Sequence, residues 1–256
     1  MKKLKILDID LDFFLNKKYT AFNETYHRLD PALYLPWQSQ KVVDYLETNC
    51  KLLKHQKVPG KYFTHHDEAF YFLRRLQEQN AFTLNFAIDH IDAHADLGLG
   101  DSSYDYISTE LLFKQPLHRP YPAKTEGRDQ LNKGNFLLFM IACRWITNLN
   151  YVNRTEWMGD IPPFCLKDFD IKSNIIQLKK YSKSQMKKII YGKFIETAKS
   201  INPIALEPEV PFNAIDHNAF FADSVYDYIF LTQSPNYTPA SSDKLVPVIQ
   251  KYMDLL

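Results

Sequence analysis

Glycine is scarce in this chain, with 7 among 256 residues, and neither a GxGxxG string nor a Walker pattern occurs. That excludes the usual phosphate-cradling loops of dinucleotide-binding and P-loop enzymes. Cysteine is scarcer still. Cys50, Cys143 and Cys165 show no CxxC or Cys/His ligand spacing, so neither a disulfide framework nor a zinc ribbon is supported, and a reducing cytoplasm is the expected location. The longest strongly apolar stretch, Phe136–Cys143, is far too short to span a bilayer. The lysines at the start resemble a signal peptide, but Asp8, Asp10 and Asp12 fall inside its would-be apolar region, so secretion is not expected. Neither sign of charge dominates: 31 Lys and Arg face 30 Asp and Glu. Without a basic tail or stripe, nucleic acid and membrane surfaces are not expected partners. No internal repeat or low-complexity linker is visible, so residues 1–256 read as one domain.

Apolar residues make up 45% of the chain, enough for a sizeable core. Lys5–Asp10 reads as a buried strand that delivers carboxylates at its end, and Leu84, Phe86 and Ile88 alternate as a second strand would. Ser39–Gln56, Asp67–Gln79 and Ser182–Lys199 carry apolar residues at helical spacing, with Thr64 and Asp67 marking a helix N-cap. Asn135–Leu149 reads as a buried helix, Val225–Leu231 as a strand and Leu245–Leu256 as a closing helix. Proline-rich connections lie at 116–123, 161–163, 203–211 and 235–239. This alternation predicts an α/β fold with a largely parallel sheet and helices on both faces, its ligands held at the carboxyl ends of the strands.

Three constellations carry chemistry. The first is Asp8-Ile9-Asp10-Leu11-Asp12, three carboxylates at period two, which would share one side of an extended segment. In so apolar a frame they need a cation to neutralise them. The second is Asp92-Ala93-His94-Ala95-Asp96, preceded by His90 at the end of another predicted strand. Carboxylate oxygens with an imidazole suit Mn²⁺ better than a structural zinc. The third is Thr64-His65-His66-Asp67-Glu68, where adjacent histidines point in different directions, so one metal ligand is expected rather than two. Glu207 and Glu209 in ALEPEVP add two carboxylates after a short apolar run.

DAHAD resembles the DxHxD motif of the arginase/ureohydrolase superfamily, and DIDLD its SxDxD motif, with Asp8 at the serine. Taken together, IDLDFF, HHDEA, HIDAHADLG, GNFLLF and LTQSPNYTP resemble the peptide arginases, which convert arginine residues of ribosomally made peptides to ornithine and release urea. The resemblance implies an arginase/deacetylase-like fold and two Mn²⁺ ions per chain. Asp92 and Asp10 would bridge them, His66 and Asp96 would complete one ion, and His94 and Asp12 the other. It also implies an arginine-containing precursor peptide as the partner, its guanidinium held by a carboxylate fork for which Glu207 and Glu209 are the candidates. Two features depart from the pattern. DIDLD precedes the other motifs, which implies a permuted strand order, and the HGxP-like segment of arginases is absent, with Asn135 its nearest counterpart. The rival readings are a haloacid-dehalogenase-type phosphatase using Asp8 and Asp10, with Gly100–Asp105 as its acidic motif, and a deacetylase-like amidohydrolase with a single metal.

Overall fold

Period-two alternation along two strands organises the molecule. The computed structural model describes residues 2–20, 27–80, 83–100, 103–122 and 131–256. Its strands are β1 (Lys2–Asp10), β2 (Val58–Phe63), β3 (Leu84–Ile91), β4 (Ile146–Asn153), β5 (Ile175–Ile176), β6 (Lys179–Lys180), β7 (Ala205–Leu206), β8 (Val210–Asp216), β9 (Tyr228–Thr232) and β10 (Met253–Leu255). Its α-helices are α1 (Ser39–Thr48), α2 (Glu68–Glu78), α3 (Ser103–Thr109), α4 (Phe136–Ala142), α5 (Lys183–Tyr191), α6 (Phe194–Ser200) and α7 (Val246–Ile249). On β1, Leu4 and Ile6 enter one buried core while Leu7 and Ile9 enter another. The first core is completed by α2 through α6 and the second by α1 and α7. The sheet is thus covered on both faces, which is why β1 buries apolar residues on both of its sides and not on one alone.

Eight strands form the main sheet in the order β10-β2-β9-β1-β3-β4-β8-β5. Every pairing is parallel except that of β5 with β8. The α/β class with a largely parallel sheet is therefore as the sequence indicates. Because β2, β9, β1 and β3 lie side by side, Phe63, Thr232, Asp10 and Ile91 end on one edge. The motif loops after them open into the same space, where open parallel sheets hold ligands.

Several elements differ from the expectation. Asn135–Leu149 is not one helix: α4 ends at Ala142, Arg144 adopts a left-handed φ of 61°, and β4 starts at Ile146. A strand buried on both faces shows the same continuous apolar run as a buried helix. Leu245–Leu256 closes with β10 against β2 after the short α7. Ser182–Lys199 is two helices, separated where Gly192 caps α5. Helix α1 stops at Thr48, well short of Gln56, and the last predicted strand is shifted to Tyr228–Thr232. Neither Thr64 nor Asp67 caps α2 by its side chain; instead Glu68 Oε1 accepts from the amides of Thr64 and His65. Among the described residues, no helix is long and apolar enough to cross a membrane.

Candidate metal centre

The alternation that builds the core also aims the acids. Continuing from Leu4 and Ile6, Asp8 and Asp10 project on the α2/α4 face of β1; continuing from Phe86 and Ile88, His90 and Asp92 project on the same face of β3. The β1–β3 register places Asp8 beside His90. Asp12 does not continue the series. The strand ends at Asp10, whose Oδ1 accepts from the Asp12 amide at 3.0 Å, and Leu11–Phe14 form a 3₁₀ turn anchored by buried Phe13 and Phe14. That turn carries Asp12 away from His66 to His94. Asp96 adopts a left-handed φ of 47°, which returns its carboxylate toward His66; Asp tolerates this conformation better than most residues. His66 enters from the loop after β2 and stacks on the Phe136 ring of α4, with centroids 4.6 Å apart.

Four overlapping groups of possible ligands result, Asp8/His66/His90, Asp10/His66/Asp92, Asp12/Asp92/His94 and His90/Asp92/Asp96, and the two without Asp8 or His90 consist of the expected ligands alone. His66 Nδ1 lies 3.2 Å from Asp10 Oδ2, 3.1 Å from Asp92 Oδ2 and 3.1 Å from Asp96 Oδ2. This nitrogen is buried, yet its geometry satisfies a hydrogen bond to none of the three. Ligand atoms held about 2.1 Å from a common ion stand roughly 3 Å from one another, so the spacing is that of a coordination shell. The second group is Asp12, Asp92 and His94, with His94 Nδ1 2.9 Å from Asp12 Oδ2 and 3.8 Å from Asp92 Oδ1. Asp92 is common to both groups, whereas Asp10 belongs only to the one around His66. The six residues proposed as ligands are thus assembled, and the donor set of carboxylates and imidazoles fits one or more metal ions.

The ligands have supports of the kind that orient a metal site. His66 Nε2 faces both oxygens of Asp8, at 3.0 and 3.1 Å, which leaves Nδ1 toward the carboxylates. His94 Nε2 is 2.9 Å from the Tyr19 carbonyl. The His90 ring is held at both ends, by Asp8 at 2.9 Å and by the His94 carbonyl at 3.1 Å, so it braces the site. Ser234 Oγ donates to Asp10 Oδ2, and the DAHAD loop is fixed by Tyr151 and Asn153, which donate to the Ala93 carbonyl. Sequence reading missed Ser234 and left His90 unassigned. Period-two continuation of β3 would have found His90.

Electrostatics follow from burial and crowding. Burial, then the charges of Asp12, Asp10 and Asp96, pushes the Asp92 carboxyl well above its usual range. Burial and Asp12 raise Asp10 as well. Burial acts against charge on Asp8, but His66 and His90 overcome it and hold its carboxyl low. Burial likewise opposes a charged His66, and Asp8 and Asp10 outweigh it, so the imidazole is raised. His94 is pushed up to about 9, against the effect of burial, by Asp12.

These shifts give a pH-dependent linkage. A histidine whose pKa is raised on folding contributes stability that is complete below its ordinary value, 6.5, and lost as pH rises through about 9. The raised Asp92 has the same sign. Metal binding requires these groups deprotonated, so affinity moves the opposite way. The melting temperature of chelator-treated protein should therefore fall between pH 6.5 and 9 while the gain from Mn²⁺ widens. At an ion concentration of 100 Kd that gain should reach about 2.7 kcal/mol, or roughly 5–10 °C. Thermal scans with Mn²⁺ and with chelator across this range check it; curves that ignore both would remove the metal from the site.

Of the other candidates, Asn135 directly precedes Phe136, the ring on which His66 stacks. Asn135 is buried at the N-cap of α4, and its Oδ1 accepts from the Asn132 amide at 2.8 Å, so it shapes the loop before Phe136. Glu207 is a correction. Its carboxylate is gripped by Arg119 at 2.8 and 2.9 Å and by Arg144 at 2.8 Å, next to the amino end of β4 and so at the opposite edge of the sheet from the cluster. It has no free fork for a substrate. Glu209 pairs with Lys167 on the surface. In the phosphatase reading Asp8 is the nucleophile, but both its oxygens are buried against His66 and His90. Asp101 and Ser102 of its acidic motif lie outside the described residues. No family model, curated protein or solved structure matches the chain.

Proposed function

We propose that the protein is a dinuclear, manganese-dependent hydrolase that converts arginine residues of a peptide to ornithine and releases urea. One observation carries this reading. Six acids and imidazoles, from motifs spread between residues 10 and 96, converge on two adjacent groups that share Asp92, with a buried His66 nitrogen aimed among three carboxylates. When bound, such ions supply a nucleophile at neutral pH by acidifying water and stabilise developing charge. Asp10, Asp96 and His66 would hold one ion, Asp12 and His94 the other, with Asp92 between them. The chain's own residues do the rest. Asp8 keeps His66 in the tautomer that leaves Nδ1 free, the Tyr19 carbonyl does the same for His94, and Ser234 orients Asp10.

The substrate assignment rests on the motif resemblance and on the open, loop-lined carboxyl edge. Mass spectrometry of an arginine-containing precursor peptide incubated with Mn²⁺-loaded protein should show a loss of about 42 Da per converted site, the CH₂N₂ unit removed in forming ornithine, with an equivalent of urea. Equal turnover of free arginine would overturn the peptide assignment. Phosphate release from phosphoesters, or deacylation supported by one equivalent of metal, would replace the guanidinium reading with one of its rivals.

A further inference from the structure

Residues flanking the metal-facing groups enclose a second feature. His65 and Asp67, on either side of His66, border a cleft of about 490 Å³ together with Asn132, Lys133, Pro235 and Asn236. Pro235 directly follows Ser234, which donates to Asp10, so the cleft adjoins the cluster. Its size lies within the range of small-molecule and side-chain pockets.

Asp67 is its only acidic lining residue among those described. It is half-buried and stands at the N-cap position of α2, yet its side chain makes no capping hydrogen bond; Glu68 serves the preceding amides instead. Among the described residues its carboxylate has no ion-pair partner. His27, Arg28, His65 and Lys133 also border the cleft, and of these Arg28 and Lys133 are engaged. Arg28 donates to the carbonyls of Thr238 and Pro239 and pairs with Asp243 at 2.6 Å, and Lys133 Nζ is 3.3 Å from Asn236 Oδ1 and 5.0 Å from the Tyr237 ring centre. A partly desolvated carboxylate without a partner is costly to keep unless a cation visits it.

We infer that Asp67 receives the guanidinium of the substrate arginine in this cleft, an inference that rests on the guanidinium-hydrolase reading above. The planar guanidinium offers paired donors that match a carboxylate fork, which an ammonium cannot do. The role also answers an electrostatic need. A cationic side chain approaching metal ions is repelled, and a carboxylate one residue from His66 offsets that repulsion where the side chain enters. Asp67 is a specificity residue, with no part in holding metal.

The test is binding of a glycine-flanked arginine peptide to metal-free protein by calorimetry, beside the same peptide with lysine or citrulline at that position. Wild-type protein should favour the arginine peptide. Asp67→Asn should weaken it roughly 10–100-fold, as expected for loss of a charge-assisted bidentate contact. Asp67→Glu should recover part of the affinity, which separates the role from a folding defect. With Mn²⁺ present, Asp67→Asn should raise KM and keep the wild-type metal content. Unchanged peptide affinity in Asp67→Asn, preference for an acidic peptide, or loss of metal in that variant would overturn the inference. If arginine binding depends on Asp67 and no urea forms, the hydrolase reading fails and this one stands. If urea forms and Asp67→Asn leaves KM unchanged, the reverse holds.

Discussion

Asp92→Asn is expected to strip the protein of every ion it binds and to abolish turnover, while Asp10→Asn and Asp12→Asn each damage one position more than the other. The reason is geometric. Asp92 Oδ2 faces His66 and its Oδ1 faces His94, so one side chain serves both ligand groups. Asp10 is tied on one oxygen to the Asp12 amide and on the other to Ser234 and His66. Loss of an outer supporting group costs such sites about 10–100-fold in metal affinity, and loss of a shared ligand should exceed that. Unfolding will not explain the result. Burial among Asp12, Asp10 and Asp96 already pushes Asp92 toward its protonated form, which asparagine imitates in shape and charge. Asparagine Oδ1 can still accept the His94 amide that Asp92 holds at 2.7 Å. The metal-free variant should therefore melt close to the metal-free parent, because asparagine keeps the shape and neutrality of the protonated carboxyl. Elemental analysis after gel filtration, paired with thermal scans in chelator, decides the matter. Wild-type metal content in Asp92→Asn would dismantle the site as assigned.

The residues of this centre were legible because two strands spell it out locally. In Leu4–Asp10 and Leu84–Asp92, hydrophobic residues alternate and then acids or histidine take over the same face, so direction and end point are both readable. What was not legible depends on tertiary placement. β2 contains Pro59 and Gly60, signals against a strand, yet Gly60 is needed because a Cβ there would come within 2.9 Å of the Ile229 carbonyl on β9. β4 and β10 were hidden inside apolar runs that also fit helices. Asp12 was expected on the face of Asp10, and only the 3₁₀ turn anchored by Phe13 and Phe14 redirects it to the second group. Glu207 failed for a third reason. A carboxylate between prolines looks available, and nothing nearby in the chain announces partners 63 and 88 residues away.

Those partners make Glu207→Gln the most destabilising single change expected outside the core. Arg119 is 3% exposed, and all its donors are used: Nε on the Lys114 carbonyl, Nη1 on Ala142 and Glu207, Nη2 on Leu112 and Glu207. Glutamine keeps one acceptor and points an amide donor at a guanidinium donor, leaving a buried cation without its counter-charge. Breaking such a pair on one side costs about 3–5 kcal/mol. For a chain of this size that lowers the melting temperature by roughly 10 °C. Metal content and the KM of the surviving folded protein should stay at their wild-type values, because Glu207 sits by the amino end of β4 while the metal-facing groups lie at the carboxyl ends of β1 and β3. Replacing both partners by apolar residues, Arg119→Met with Glu207→Leu, should restore much of the loss, since two desolvated charges are then removed together. A Glu207→Gln protein that melts normally but shows a raised KM for an arginine peptide would return this carboxylate to the substrate.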